Sequence, residues 1–175
     1  MKTYLTDQHI RGQVHKIMRD LQRDQWRPDY IVGLARGGLV AATMLSHYMK
    51  IPMETLKVQL RDGGESETNA WMSEDAYGYV AADSMSHHEH ARKNILIVDD
   101  INDTGATLEW IKQDWSGSCL PGDAVWNTVW HNNVRFAVLV NNLASAVTVD
   151  YAGLEINKAE DDTWIVFPWE NWWEA

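Results

Sequence analysis

The chain has one cysteine, Cys119, in 175 residues. An internal disulfide is thereby excluded, and such sparse thiol content suits a reducing cytosol. Basic residues are also few: 15 Lys and Arg against 25 Asp and Glu leave a net charge of −10. No basic stripe offsets that surplus, which excludes a surface built to coat nucleic acid. An anion bound here has to meet a local island of backbone N–H groups and a few Arg or Lys. No apolar run approaches the ~20 residues that span a bilayer. Met1-Lys2-Thr3-Tyr4 lacks the apolar core of a signal peptide. The expectation is therefore a cytoplasmic protein with no membrane insertion. Internal repeats are absent. What remains is ordinary globular usage, 45% hydrophobic and 23% charged. The length fits one domain over residues 1–175, large enough to bury a real core.

The stretch that organises the chain is Ile95-Leu96-Ile97-Val98-Asp99-Asp100-Ile101-Asn102-Asp103-Thr104-Gly105-Ala106-Thr107-Leu108. Four consecutive apolar residues read as a short, fully buried strand. Two adjacent carboxylates stand at its carboxyl end, and a turn rich in Asp, Thr and Gly leads into a helix. A strand, a polar turn and a helix N-terminus make a phosphate cradle, because the turn's N–H groups converge and the helix dipole adds partial positive charge. The turn carries neither the P-loop pattern nor the dinucleotide Gly-x-Gly-x-x-Gly. A mononucleotide phosphate fits Asp103-Thr104-Gly105-Ala106-Thr107, held by backbone N–H groups and the Thr104 and Thr107 hydroxyls. Asp99 and Asp100 only accept, so they suit ribose hydroxyls or a Mg²⁺ that carries a diphosphate. Ribose, 5-phosphate and metal-bound diphosphate together describe phosphoribosyl pyrophosphate (PRPP).

Elsewhere, Ile10, Val14, Ile17, Met18 and Leu21 recur at helical spacing and predict a helix over 6–23, with Thr6 or Asp7 as N-cap. Tyr30–Leu34 reads as a buried strand, Leu39–Met49 as a helix and Glu54–Leu60 as a strand. Residues 61–93 hold no period, and so long an irregular segment is usually functional or mobile. His87-His88-Glu89-His90 does not make a metal set, since adjacent residues do not share the face that i and i+4 share. A helix is expected over Thr107–Trp115, ended by Ser116-Gly117-Ser118. A short helix over Pro121–Asn132, with Val125, Trp126, Val129 and Trp130 as its apolar face, and strands at Val134–Val140 and Val147–Tyr151 follow. These elements compose an α/β fold, a mostly parallel twisted sheet with helices on both faces and a site at the strand carboxyl ends.

Val98-Asp99-Asp100-Ile101-Asn102-Asp103-Thr104-Gly105-Ala106-Thr107 resembles the PRPP motif of the type I phosphoribosyltransferases. Arg36-Gly37-Gly38, following a strand, is similar to that family's diphosphate loop, and the resemblance implies a non-proline cis bond between Ala35 and Arg36. Residues 61–93 stand where the family has a flexible loop that closes over PRPP, with Arg61 as a further candidate for diphosphate contact. Asp162-Thr163-Trp164-Ile165 followed by Pro168-Trp169 resembles the C-terminal hood of the xanthine–guanine subfamily. That likeness assigns residues 152–175 to a hood, Trp164 to stacking on a purine and the Ile165 backbone to its 2-position edge. Trp169, Trp172 and Trp173 read as anchors or as a subunit interface.

In one respect the chain departs from the subfamily. A Lys donates to the purine 6-oxo group and N7 from the end of the strand after the motif, and Asn141 stands there.

The resemblance implies transfer of 5-phosphoribosyl from PRPP to a purine base, 6-oxopurines favoured, with Mg²⁺ and release of diphosphate. Asp103 would manage the N7 proton, Asp99 and Asp100 the ribose hydroxyls, Asp100 the metal, and Arg36 the diphosphate. Homodimers or homotetramers are the expected assemblies. An orotate-, uracil- or adenine-type transferase, or a non-catalytic PRPP-binding regulator, would keep the same motif.

Overall fold

A computed structural model describes residues 1–60, 65–83 and 86–174. In chain order it contains β1 (Lys2–Tyr4), α1 (Asp7–Arg23), β2 (Tyr30–Ala35), α2 (Gly38–Met49), β3 (Met53–Lys57), α3 (Ala70–Tyr77), β4 (Tyr79–Val80), β5 (Ser86–His87), β6 (Ile95–Asn102), α4 (Ala106–Ser118), β7 (Val134–Asn142), β8 (Tyr151–Ile156) and β9 (Trp164–Val166). The main sheet has five strands in the order β3-β2-β6-β7-β8, every pair parallel. Both of its faces are covered, as a parallel sheet requires.

Strand alternation sorts the apolar runs into two cores. Ile31, Leu96, Val98, Ala137 and Leu139 pack against α1 and α2. Tyr30, Val32, Ile95, Ile97, Val134 and Phe136 pack against α3 and α4. Helix α1 contributes Ile10, Val14, Ile17, Met18 and Leu21, all buried. Each such aliphatic removed from water contributes roughly 1.5–3 kcal/mol before entropy is subtracted. Thr6 caps this helix with a reciprocal bond to His9, satisfying donors that a helix start leaves open.

Several stretches differ from the sequence reading, beginning with β3, which stops at Lys57 rather than Leu60, and α4, which runs on through Ser116-Gly117-Ser118. The segment expected to be irregular contains α3, whose buried side chains Met72, Ser73, Ala76 and Tyr77 form a stripe too small and too polar to register as amphipathic. Its signals are the caps: the Asn69 side chain accepts from the Met72 N–H, and Gly78 takes a φ of 81° at the other end. The last sheet strand is Tyr151–Ile156 rather than Val147–Tyr151. Residues 147–150 are engaged elsewhere: the Val147 carbonyl accepts from Asn102, and the Asp150 side-chain carboxylate accepts from Phe136 N. Gly153 obscures the true strand because α1 crosses it closely; a Cβ there would lie 2.4 Å from Gln13 Cβ. Between α4 and β7 only a 3₁₀ turn forms, Ala124–Thr128, with Trp126 and Val129 buried as expected.

Strand order reverses between β2 and β6. The chain runs from β2 outward to β3, then crosses back to lay β6 on the other side of β2. The crevice beyond the carboxyl ends of those two strands is the place where open α/β sheets bind ligands. A second, two-stranded parallel sheet joins β1 to β9 and brings Trp164 and Ile165 back to the start of the chain.

Candidate functional site

Asp99 and Asp100 occupy the carboxyl half of β6, half-buried, where the sheet's apolar register gives way. Asp99 Oδ1 accepts from the Asp100 N–H at 2.9 Å. Burial pushes the Asp99 carboxyl well above the usual carboxylate range, and the Asp100 charge adds to the push. Burial raises Asp100 too, with Glu170 contributing repulsion. A divalent cation or a set of hydroxyl donors would relieve both.

The loop after β2 closes on this pair. The Ala35–Arg36 peptide is cis, as the resemblance implied. A Cβ on Gly37 would lie 1.8 Å from Asp100 Oδ2, and one on Gly38 would lie 2.3 Å from Val98 O. Only residues without side chains let the start of α2 approach β6 so closely. Arg36 is exposed at the mouth of this junction.

The turn after β6 is held from outside. Asn102, 2% exposed, donates to Asn141 Oδ1 at 2.9 Å and to Val147 O at 2.8 Å, while its own Oδ1 accepts from Ser145 Oγ. Asn142 Nδ2 donates to Asp103 O at 2.9 Å, and Ala146 N to Thr104 O at 3.1 Å. Gly105 takes a φ of 91°, a backbone conformation that side chains rarely adopt. The turn delivers the chain into α4, whose first-turn N–H groups have no intrahelical acceptor and point toward the turn. A pinned turn with open donors is a preorganised anion seat.

One cavity of about 330 Å³ joins these parts. Its wall includes residues 99–108 along one side, Val58, Gln59 and Leu60 after β3, and Trp164, Ile165 and Phe167 from the tail. The tail thus meets the motif although more than fifty residues separate them. Asp103, Trp164 and Ile165, named from sequence, share this space. Asn141 does not line it; its side-chain oxygen is taken by Asn102, which turns it into the sheet's own hydrogen-bond network. Gly37 adjoins the cavity through Asp100, and neither it nor Arg36 forms the wall. Arg61 lies outside the described residues.

Sequence reasoning missed Lys158. Its Nζ lies 2.9 Å from Asp103 Oδ1 and 5.9 Å from the centroid of the Trp164 ring. The available signal was a lone cation before the acidic run Glu160-Asp161-Asp162.

Among the described residues no group of three or more His, Cys, Asp or Glu is placed to cage a metal. The donor set nevertheless suits Mg²⁺, which takes one or two carboxylates and completes its shell with water and substrate phosphates. Asp99 and Asp100 are such a pair, and the burial that disfavours the ionised form of both favours a cation beside them.

Residues 1–173 match the family model described as a phosphoribosyl transferase domain. The chain is 26% identical over 166 residues to a xanthine-guanine phosphoribosyltransferase of Cereibacter sphaeroides, covering 89% of this chain and 83% of that one. It is 22% identical over 170 residues to a hypoxanthine-guanine phosphoribosyltransferase of Schizosaccharomyces pombe, covering 84% and 79%. Its structure superposes on a purine phosphoribosyltransferase from Pyrococcus horikoshii with a TM-score of 0.65, at 26% identity, over 97% and 94% of the two chains.

Proposed function

The chain belongs to the phosphoribosyl transferase family, and from that premise we propose that it transfers 5-phosphoribosyl from PRPP to a purine base, 6-oxopurines favoured, releasing diphosphate. The observation that carries this reading is the single cavity in which the carboxylate pair, the pinned 103–107 turn and the Trp164 ring meet. Each part answers one part of the reaction. The N–H groups of 103–107 hold the 5-phosphate, with the Thr104 and Thr107 hydroxyls as further donors. Asp99 and Asp100 accept from the ribose hydroxyls. Trp164 stacks on the base, and the Ile165 backbone meets its edge. Asp103 takes the N7 proton as the glycosidic bond forms. Arg36 neutralises the departing diphosphate. Mg²⁺, held by Asp100 with the substrate, would withdraw charge from the same leaving group.

A magnesium requirement, a cytoplasmic location and a homodimeric or homotetrameric assembly belong to the same proposal. No described helix is long and apolar enough to cross a membrane. Trp172 and Trp173 are 71% and 64% exposed, and such aromatics are enriched at subunit interfaces. Of the expected hood, residues 152–156 belong to the central sheet as part of β8, and the chain that follows, residues 157–174, acts as the hood that carries Trp164 to the site.

The test is nucleotide formation from PRPP and guanine, hypoxanthine, xanthine, adenine, uracil or orotate, with and without a chelator. Turnover of at least one 6-oxopurine, lost on chelation, is the expected result. Turnover of a pyrimidine alone, or PRPP binding with no turnover of any base, would overturn it.

A further inference from the structure

Among the described residues Lys158 is the one cation on the wall of the cavity described above, and its side chain is only 15% exposed. Three contacts fix it. Its ammonium pairs with Asp103 Oδ1 at 2.9 Å. It sits 5.9 Å from the centre of the Trp164 ring. Its backbone N–H donates to Asn142 Oδ1 at 3.0 Å. Asn142 is itself buried, 6% exposed, and its Nδ2 donates to Asp103 O. One amide therefore clamps the backbones of both members of the ion pair. The turn between β8 and β9 and the turn after β6 are held in fixed register, and Lys158 cannot leave Asp103 by backbone drift without breaking the clamp.

We infer that Lys158 reads the edge of the incoming base, selecting bases that present an oxygen acceptor beside the atom served by Asp103, and that Asn142 is the positioning residue for this contact. The inference rests on the proposed transfer to a purine, whose base specificity it deepens. An ammonium donates and never accepts. A ring laid on Trp164 places its edge against the Lys158–Asp103 pair, where a keto oxygen gains a charge-assisted bond. An amino group at the same position faces a second donor and is rejected. Asn141, the residue expected to read the base, is not on the cavity wall, and its side-chain oxygen accepts from Asn102; Lys158 reaches the cavity from a different element of the fold.

The experiment measures kcat/KM for guanine, hypoxanthine and adenine at saturating PRPP in the parent, Lys158→Met, Lys158→Arg and Asn142→Ala, with melting temperatures alongside. Lys158→Met is expected to lose roughly 10- to 100-fold on the 6-oxopurines while adenine stays level or improves, so the oxo-to-amino ratio collapses. Lys158→Arg keeps the donor and should hold most of that ratio. Asn142→Ala is expected to lower the ratio with a smaller effect, since it loosens the contact without removing the charge. Equal losses on all three bases in Lys158→Met, or an unchanged ratio, would overturn the inference while leaving the parent's purine turnover standing. Absence of turnover in the parent itself would instead overturn the reading of function on which it rests. Should Lys158→Met melt too low to assay, the Arg variant decides: a ratio reversed toward adenine in a folded Lys158→Arg refutes selection by a donor.

Discussion

Replacing Gly37 by Ala is a demanding test of how the diphosphate loop and the carboxylate pair depend on each other. Gly37 has φ −60° and ψ −38°, which any residue adopts, so the backbone itself tolerates Ala. The obstacle is steric. The added Cβ would lie 1.8 Å from Asp100 Oδ2 and 2.3 Å from its Cγ, where ordinary contact begins near 3.4 Å. Loop and carboxylate must part by roughly 1.6 Å. Overpacking of this kind costs ~1–3 kcal/mol. At ~2–4 °C per kcal/mol for a chain of this size, the melting temperature falls by roughly 2–12 °C. The catalytic effect is larger, because a displacement near 1 Å at a positioning group costs about 10²-fold. Gly12→Ala supplies the control. Gly12 lies in α1, and nothing stands within 4 Å of an added Cβ. Ala there gains ~0.8–1 kcal/mol of helix propensity and should raise the melting temperature by roughly 2–4 °C with activity unchanged. Thermal melts and PRPP-dependent kcat/KM for both variants check the pair. A Gly37→Ala protein within threefold of parental kcat/KM would refute the claim that Asp100 is held in place by the loop.

Three further outcomes are expected. The Asp99 carboxyl titrates above its unfolded value through burial and the Asp100 charge, so the native state binds the extra proton and stability falls as pH rises through the raised value; Asp99→Asn should therefore melt above the parent at pH 8 and lose that advantage at about pH 3.5, and a pH-independent difference would contradict the assignment. Asp103→Asn should lower kcat by ~10²–10⁴ while PRPP affinity, read by calorimetry, changes little, because the turn offers the phosphate mostly backbone N–H groups; loss of PRPP binding would make Asp103 structural instead. Trp115 is fully buried between α3 and the sheet, with its carbonyl accepting from Ser73 Oγ; Trp115→Ala should destabilise by ~3–5 kcal/mol in denaturant titration, and a loss under 1 kcal/mol would mean that the second core is not packed as described.

Local chemistry made much of this protein legible in its sequence. The run from Ile95 to Leu108 specified a buried strand, a carboxylate pair and a turn into a helix, since each depends on residues within a few positions of one another. The same holds for Arg36-Gly37-Gly38 after β2, and for α1, whose stripe of five apolar residues repeats at helical spacing. Where one face was small or polar, or where a glycine interrupted the pattern, periodicity failed: α3 was hidden by Ser73 and Ala76, and β8 by Gly153. Only the tertiary structure decided which distant residues share the cavity. Asn141 and Lys158 differ by 17 positions, and nothing local tells which one faces Trp164. The answer lies in hydrogen bonds across the sheet: Asn102 captures Asn141, and Asn142 ties Lys158 to Asp103. Such bonds join strands brought side by side by topology, so neither composition nor spacing records them.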